Sequence, residues 1–415
     1  MRLADVQAYM REQNIGGWLV HDFRGSNAVL ARLLPPDPAH NPSGKRFLTR
    51  RADLWIPASG SPALLSHGID RSAFEGARLA GGEGVSIDVY LTWQQWRGWL
   101  ERQIGSAGGR IAMEYAPGGG LPVVGTVDAG TIELVRGLGA EVVSSANLVQ
   151  VCIARWSEAA LESHEWASRE VARVKDEAFS LIRERRRTGT PVSEWEVVQA
   201  IHANFKKAGL EWPDGPIVGV NAHGADPHFE TTAECTAPIR PGDWILLDLW
   251  ARRPGEQHIF SDITWVAYAE RSPGEALSAR HARVFDTVKA ARDASVALAQ
   301  KAWRERRRAQ GWELDDAARE QIVRAGYGEF IRHRTGHSLS AGPMVHGVGV
   351  NIDNLETHDT REVLPGVGYT VEPGVYIPDG PDGKGFGVRL EINVYADPET
   401  GPRVTSCVQN EVVRV

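Results

Sequence analysis

The stretch Asp243-Trp-Ile-Leu-Leu-Asp-Leu-Trp250, followed closely by Phe260-Ser-Asp-Ile-Thr-Trp-Val-Ala-Tyr268, decides how the chain is read. Both segments alternate with period two and read as strands. In the first, Trp244, Leu246, Asp248 and Trp250 share one face; in the second, Asp262 shares a face with Phe260, Thr264 and Val266. Aspartate is depleted inside strands, and a charge among such neighbours is costly unless something compensates it. Gly255 of the turn dipeptide Pro254-Gly255 lies midway between the two acids. A hairpin folded there is expected to set Asp248 face to face with Asp262, where like charges repel.

The same pattern recurs further along. Gly368-Tyr-Thr-Val-Glu-Pro-Gly-Val-Tyr376 carries Glu372, and Gly387-Val-Arg-Leu-Glu-Ile-Asn-Val-Tyr395 carries Glu391. The turn-forming run Pro378–Gly383 separates them, so a second hairpin sets Glu372 opposite Glu391. Four acids in two mirrored hairpins, each flanked by core-type residues, call for a compensating cation. Two divalent ions balance four carboxylates, and one added imidazole suits borderline metals such as manganese, iron, cobalt or zinc. Trp244 and Trp250 are expected to wall such a site.

Histidines with the right company are few. His333 and His337 stand four apart beside Gly336, which permits close backbone approach. His228 and His346 fall in glycine-rich loops. Gly336-His-Ser-Leu-Ser340 nearly spells a hydrolase nucleophile elbow, but residue 340 is Ser and the preceding Ile-Arg-His-Arg-Thr is too polar for the buried strand an elbow terminates.

Around these hairpins the chain divides in two. Residues 1–156 alternate strand-like runs (Trp18–Val20, Leu54–Ile56, Ala63–Leu65, Arg110–Met113, Ala140–Val143) with helical stretches near Gln94–Gln103 and Ala129–Leu138, which predicts an α/β layer with a partly parallel sheet. Residues 157–415 open with a long helix over Ser157–Arg187 bearing Leu161, Val171, Val174, Ala178 and Leu181 on one face. A capping box, Ser193-x-x-Glu196, starts the next helix, and Val284, Val288, Ala291, Ser295 and Leu298 form the stripe of another. Long helices over antiparallel hairpins predict an α+β second domain.

Composition excludes several classes. With 415 residues, 42% hydrophobic and 24% charged, the chain is neither disordered nor fibrous. A net charge of −7 argues against general nucleic-acid binding. Three widely spaced cysteines make no disulfide framework, and neither a signal-peptide core nor a membrane-length apolar run is visible, so a cytoplasmic protein without membrane partners is expected. The Arg183–Arg187 and Arg304–Arg308 clusters read as solvated helix faces.

In order, Asp248, Asp262, the motif around His337, Val371-Glu372-Pro-Gly-Val-Tyr376 and Val388-Arg-Leu-Glu391 resemble the five metal ligands of the pita-bread metallopeptidases. The N-terminal domain makes the chain similar to the branch containing Xaa-Pro dipeptidase, aminopeptidase P and creatinase. The resemblance implies a creatinase-like α/β domain followed by a curved antiparallel sheet covered by helices. It implies two divalent metals, manganese first, with Asp262 and Glu391 bridging, Asp248 on one ion, and His337 with Glu372 on the other. It further implies attack by a hydroxide held between the metals on an Xaa-Pro bond, with Glu372 as proton carrier. His228 and His346 would act on the substrate carbonyl, and His333 and Arg389 complete the motif. A homodimer acting on proline-containing peptides is the implied assembly. The alternatives are a related amidohydrolase cleaving another small C–N bond, or a non-catalytic binding module.

Overall fold

A computed structural model describes residues 2–379 and 384–415 of the chain. The chain divides into two compact units, Met1–Ile153 and Ala154–Val415.

The first unit is built on a six-stranded sheet. Its strands are β1 (Gly17–Phe23), β2 (Arg51–Pro57), β3 (Ala63–His67), β4 (Ser86–Tyr90), β5 (Arg110–Met113) and β6 (Glu141–Ser144), in the order β4-β3-β2-β1-β5-β6. β1, β5 and β6 run parallel, as do β3 and β4, while β2 is antiparallel to both its neighbours. The helix Trp93–Ala107 starts at a reciprocal Thr92–Gln95 capping box and buries Trp96, Trp99, Leu100 and Ile104. The helix Ala129–Gly137 is capped by Asp128, which accepts from the Thr131 amide.

The second unit contains β7 (Ile217–Val220), β8 (Trp244–Ala251), β9 (Ser261–Tyr268), β10 (Ser338–Leu339), β11 (Gly368–Val371), β12 (Gly374–Ile377), β13 (Phe386–Arg389), β14 (Ile392–Asp397), β15 (Gly401–Val404) and β16 (Val413–Arg414). They form the sheets β16-β9-β8-β7, β10-β11-β14-β15 and β12-β13, antiparallel except where β16 joins β9. The β8–β9 hairpin is buried on both faces. Ile245, Leu247, Leu249, Ile263 and Ala267 pack against Val171, Val174, Ala178 and Ile182 of the helix Glu158–Arg187 and against Val197, Ile201 and Phe205 of the helix Glu194–Ala208. Trp244, Leu246, Val266 and Tyr268 face the other way, onto Val284, Val288 and Ala291 of the helix Ala279–Arg304. The helix stripes end one residue later than the sequence suggests: Ile182 and Ala299 are buried where Leu181 and Leu298 are only partly covered. Ile182 lies three turns from Val171, whereas Leu181 is rotated about 100° off the stripe.

The first hairpin departs from its expected register. Asp248 pairs with Thr264, and Asp262 pairs with Trp250, so the acids are diagonal neighbours rather than directly opposed. The slip is two residues, which keeps both acids on one face and avoids carboxylates in direct opposition. In the second, Val371 pairs with Ile392 and Gly374 with Arg389, one continuous register that carries Glu372 opposite Glu391 across a short break in the ladder. Most of its expected turn, from Gly380 to Gly383, lies outside the described residues. Among the described residues, no helix is long and apolar enough to cross a membrane.

One buried imidazole ties the first long helix to the sheets. His164 is fully buried, its Nδ1 2.8 Å from the Phe260 carbonyl and its Nε2 2.8 Å from the Thr405 hydroxyl. Burial, opposed by the Phe260 bond, pulls its pKa down to about 4. The folded state therefore refuses a proton that the unfolded chain accepts near its ordinary pKa of about 6.5. The stabilising contribution is complete above that value and is lost as pH falls toward 4, amounting to about 3 kcal/mol by the bottom of the window. His164→Gln is expected to flatten this limb of the pH–stability curve, measured as the wild-type-minus-variant difference in urea midpoint between pH 7 and 4. An unchanged slope would show that His164 carries none of it.

Candidate metal centre

Each acid reaches the same place from a different structural element. Asp248 lies in β8 and Asp262 in β9; Glu372 follows β11, and Glu391 immediately precedes β14. His337 precedes β10, where the chain runs against the next strand: a Cβ on Gly336 would sit 2.1 Å from the Thr370 carbonyl oxygen. Backbone bonds fix these positions independently of charge. The Glu391 amide donates to the Thr264 carbonyl (3.1 Å), the Glu372 amide to the Thr335 carbonyl (2.7 Å), and the Thr370 amide to the His337 carbonyl (2.8 Å).

These five residues, with His228, His333, His346 and Arg389, line one cavity of about 910 Å³. Trp250 lines it too, and its indole N–H donates to Asp214 (2.9 Å). Trp244 does not. It packs in the core further along the same face and donates to the Gly387 carbonyl (2.8 Å), because positions six residues apart on one strand face are about 20 Å apart and need not reach the same void.

Polar contacts hold the acids in place. The Thr264 hydroxyl lies 2.9 Å from Asp248 Oδ1 and 2.8 Å from Glu391 Oε2. Arg389 Nη2 pairs with Asp248 Oδ2, and its Nε donates to Thr264 Oγ1 (2.8 Å). Asn393 brackets Asp262, accepting from its amide (3.1 Å) and donating to its carbonyl (2.5 Å). The Thr370 hydroxyl donates to Glu372 Oε1 (2.9 Å) and accepts from the His337 amide (2.9 Å). Thr264, Asn393 and Thr370 escaped the sequence reading. The only trace of them is polar residues at inward positions of otherwise apolar strands.

His337, Asp262 and Glu391 each offer an atom within 4.8 Å of the others, and all three are deeply buried. His337 Nδ1 donates to the Ser338 carbonyl (3.1 Å), so Nε2 carries a lone pair. That lone pair faces Asp262 Oδ2 at 3.4 Å and Glu372 Oε1 at 3.5 Å, and burial keeps the imidazole neutral by lowering its pKa. Among the described residues, Asp262 Oδ1 and Glu391 Oε1 receive no hydrogen bond. Mutually facing lone pairs and donorless buried oxygens fit a divalent cation, and the mixed nitrogen–oxygen set suits a borderline metal.

Electrostatics agree. Burial pushes Asp248 up to about 7 against the pull of Arg389, and it drives Asp262 and Glu391 well above the carboxylate range, with neighbouring acids adding to the rise. Glu372 goes the other way. Burial would raise it, but His337, Arg389, His333 and His346 together hold it below its ordinary value. His346, its ring 4.1 Å from that of His337, is lowered chiefly by that neighbour. His333 has both nitrogens engaged, Nδ1 with the Arg334 carbonyl and Nε2 with the Tyr376 hydroxyl, each at 2.7 Å.

Comparison with known proteins follows the same residues. Over 216 residues the chain is 29% identical to the Xaa-Pro dipeptidase of Pyrococcus furiosus, a match covering 51% of this chain and 53% of that protein. Over 226 residues it is 27% identical to the Xaa-Pro dipeptidase of Lactobacillus delbrueckii subsp. lactis, covering 54% and 53%. The match thus spans about half the length of these relatives. In fold, it resembles the dipeptidase PepE from Mycobacterium ulcerans, with a TM-score of 0.65 at 20% identity over 100% of this chain and 96% of that one. The family model described as metallopeptidase family M24 matches residues 167–398, a span that takes in all five clustered acids and imidazole, and the chain belongs to that family.

Proposed function

We propose that the protein is a dinuclear-metal peptidase that hydrolyses the Xaa-Pro bond, in dipeptides or at peptide N-termini. The observation that carries this reading is the pair of donorless buried oxygens, Asp262 Oδ1 and Glu391 Oε1, beside the imidazole lone pair of His337. The two Xaa-Pro dipeptidases among the relatives support the choice of bond. Asp262 and Glu391 would be shared by two ions, with Asp248 completing one set and His337 with Glu372 the other. Bound there, the metal, manganese in this reading, polarises a carbonyl and makes water acidic enough to supply a nucleophile near neutral pH.

The chain's own groups do the rest. Glu372 Oε1 is anchored by Thr370, and Oε2, 4.0 Å from Arg389 Nε, is the oxygen left to take up a proton. Its lowered pKa keeps it ionised and able to act as a base before it passes that proton to the departing nitrogen. A prolyl amide nitrogen carries no hydrogen, so this delivery is essential to bond cleavage. His346 and His228 supply N–H donors to the carbonyl oxygen as charge develops on it. His333 and Arg389 act as positioning residues: His333 fixes Tyr376, whose hydroxyl lies 3.4 Å from Arg389 Nη1, and Arg389 orients Asp248.

Purified protein is expected to hold about two equivalents of divalent metal by elemental analysis, where none would leave a binding module. The metal-loaded enzyme is expected to turn over Xaa-Pro dipeptides or Xaa-Pro-Xaa tripeptides with manganese or cobalt; turnover of neither would point to another C–N bond. Glu372→Gln should lower kcat by roughly 10²–10⁴-fold, while Arg304→Ala, at a distant helix end, leaves it unchanged. Thr264→Val should weaken metal affinity by about 10–100-fold in a chelator competition, and undiminished affinity would remove Thr264 from the support of the site.

A further inference from the structure

The first unit carries a second buried ionic centre that the peptidase reading leaves unused. His21 of β1 and Asp53 of β2 are direct cross-strand partners, 5% and 0% exposed, with His21 Nδ1 2.6 Å from Asp53 Oδ1. The Trp96 indole N–H takes the other oxygen, Oδ2, at 2.7 Å. Each Asp53 oxygen therefore already has a buried partner from the chain. His21 Nε2 does not: no hydrogen bond reaches it among the described residues, and His21 lines a cavity of about 540 Å³. A buried ion pair is expensive to maintain and is weak evidence of a purely stabilising role.

The cavity lies where this kind of sheet binds ligands. His21 is near the carboxyl end of β1, which runs parallel to β5, and the wall includes the starts of the helices Trp93–Ala107 and Ala129–Gly137. Open α/β sheets hold ligands outside the carboxyl ends of their parallel strands.

Two further side chains bring opposite charges to the same space. Arg51 lies over the Trp96 ring at 4.8 Å, and its guanidinium has no carboxylate or hydrogen-bond partner among the described residues. Asp128 caps its helix through Oδ1, 3.0 Å from the Thr131 amide, and Oδ2, 2.6 Å from the Thr131 hydroxyl, and each oxygen retains a lone pair. Trp96 and Leu134 add apolar wall. Burial alone would lower the His21 pKa, yet the Asp53 carboxylate raises it on balance, which favours the donor form of Nε2.

We propose that this cavity is a binding site for a zwitterionic α-amino acid, its carboxylate on His21 Nε2 and Arg51, its ammonium on Asp128, and its side chain against Trp96 and Leu134. Two cationic donors, one anionic acceptor and an apolar wall match that ligand class. A simple anion would leave Asp128 opposing it, and a simple cation would face Arg51. The site is independent of the proposed peptidase chemistry.

The test is isothermal titration of the full-length protein with L-leucine, leucinamide and N-acetyl-leucine. Leucine is expected to bind saturably, and each analogue, lacking one charge, about tenfold or more weakly. Arg51→Gln and Asp128→Asn should each weaken leucine binding by about tenfold, with wild-type thermal midpoints and peptidase turnover. Asparagine caps helices as well as aspartate does, so the second variant keeps the fold. Leucine binding equal in wild type and both variants would place it elsewhere and overturn the proposal, as would no saturable heat up to about 20 mM. N-acetyl-leucine bound as tightly as leucine would overturn the zwitterion assignment.

Discussion

Four carboxylates largely withdrawn from bulk water set the terms for the second unit. Two like charges about 4 Å apart at an effective dielectric near 20 repel by about 4 kcal/mol, and a domain's whole stability is only about 5–15 kcal/mol. Asp248, Asp262, Glu372 and Glu391 are held together nonetheless, because the strands bearing them are buried on both faces and locked by backbone hydrogen bonds that owe nothing to charge. The scaffold fixes the acids first, and whatever neutralises them must then come to that geometry. This is preorganisation in its basic form.

The choice of supporting groups follows. Thr264, Thr370 and Asn393 orient carboxylate or backbone groups with neutral hydroxyls and an amide. Lysine or arginine at those positions would orient the acids equally well and also cancel their charge, leaving nothing to attract a metal. Among the described residues that hydrogen-bond these acids at the centre, Arg389 is the cationic exception, and it engages Asp248. That pairing opposes the rise in the Asp248 pKa that burial causes.

How much of this was readable in the sequence depends on the range of the interaction. Period-two alternation located the strands bearing Asp248 and Asp262, since pleating is local. Pairing register is not local, and the first hairpin settled two residues away from its glycine-centred expectation, with Thr264 across from Asp248. The second kept one register through the break at Glu372 and Glu391. β4 was invisible because Ser86–Tyr90 is largely exposed and pairs only along one side, so it needs no strong alternation. The link from His164 to Thr405 spans 241 residues, and the His21–Asp53 pair joins two strands separated by a helix and a long loop. Neither leaves a spacing signature, because the partner is chosen by the fold.

Burial of an acid is by itself a poor guide to function in this chain. Glu114 is 1% exposed and its pKa is raised by burial, yet Trp18 and Ser145 donate to one oxygen and Asn27 to the other. Asp315 takes the Thr335 and Asn354 amides, and Asp353 takes three amides and a hydroxyl. These are acids used as structural staples, their lone pairs consumed by the chain. Asp262 and Glu391 are also deeply buried, but among the described residues each keeps an oxygen without a donor. A donor there would have stabilised the fold, and strands lined with threonine and asparagine had the means to supply one. Leaving those two oxygens open, beside an imidazole whose lone pair faces the same point, is a cost the fold bears only if something outside the polypeptide repays it.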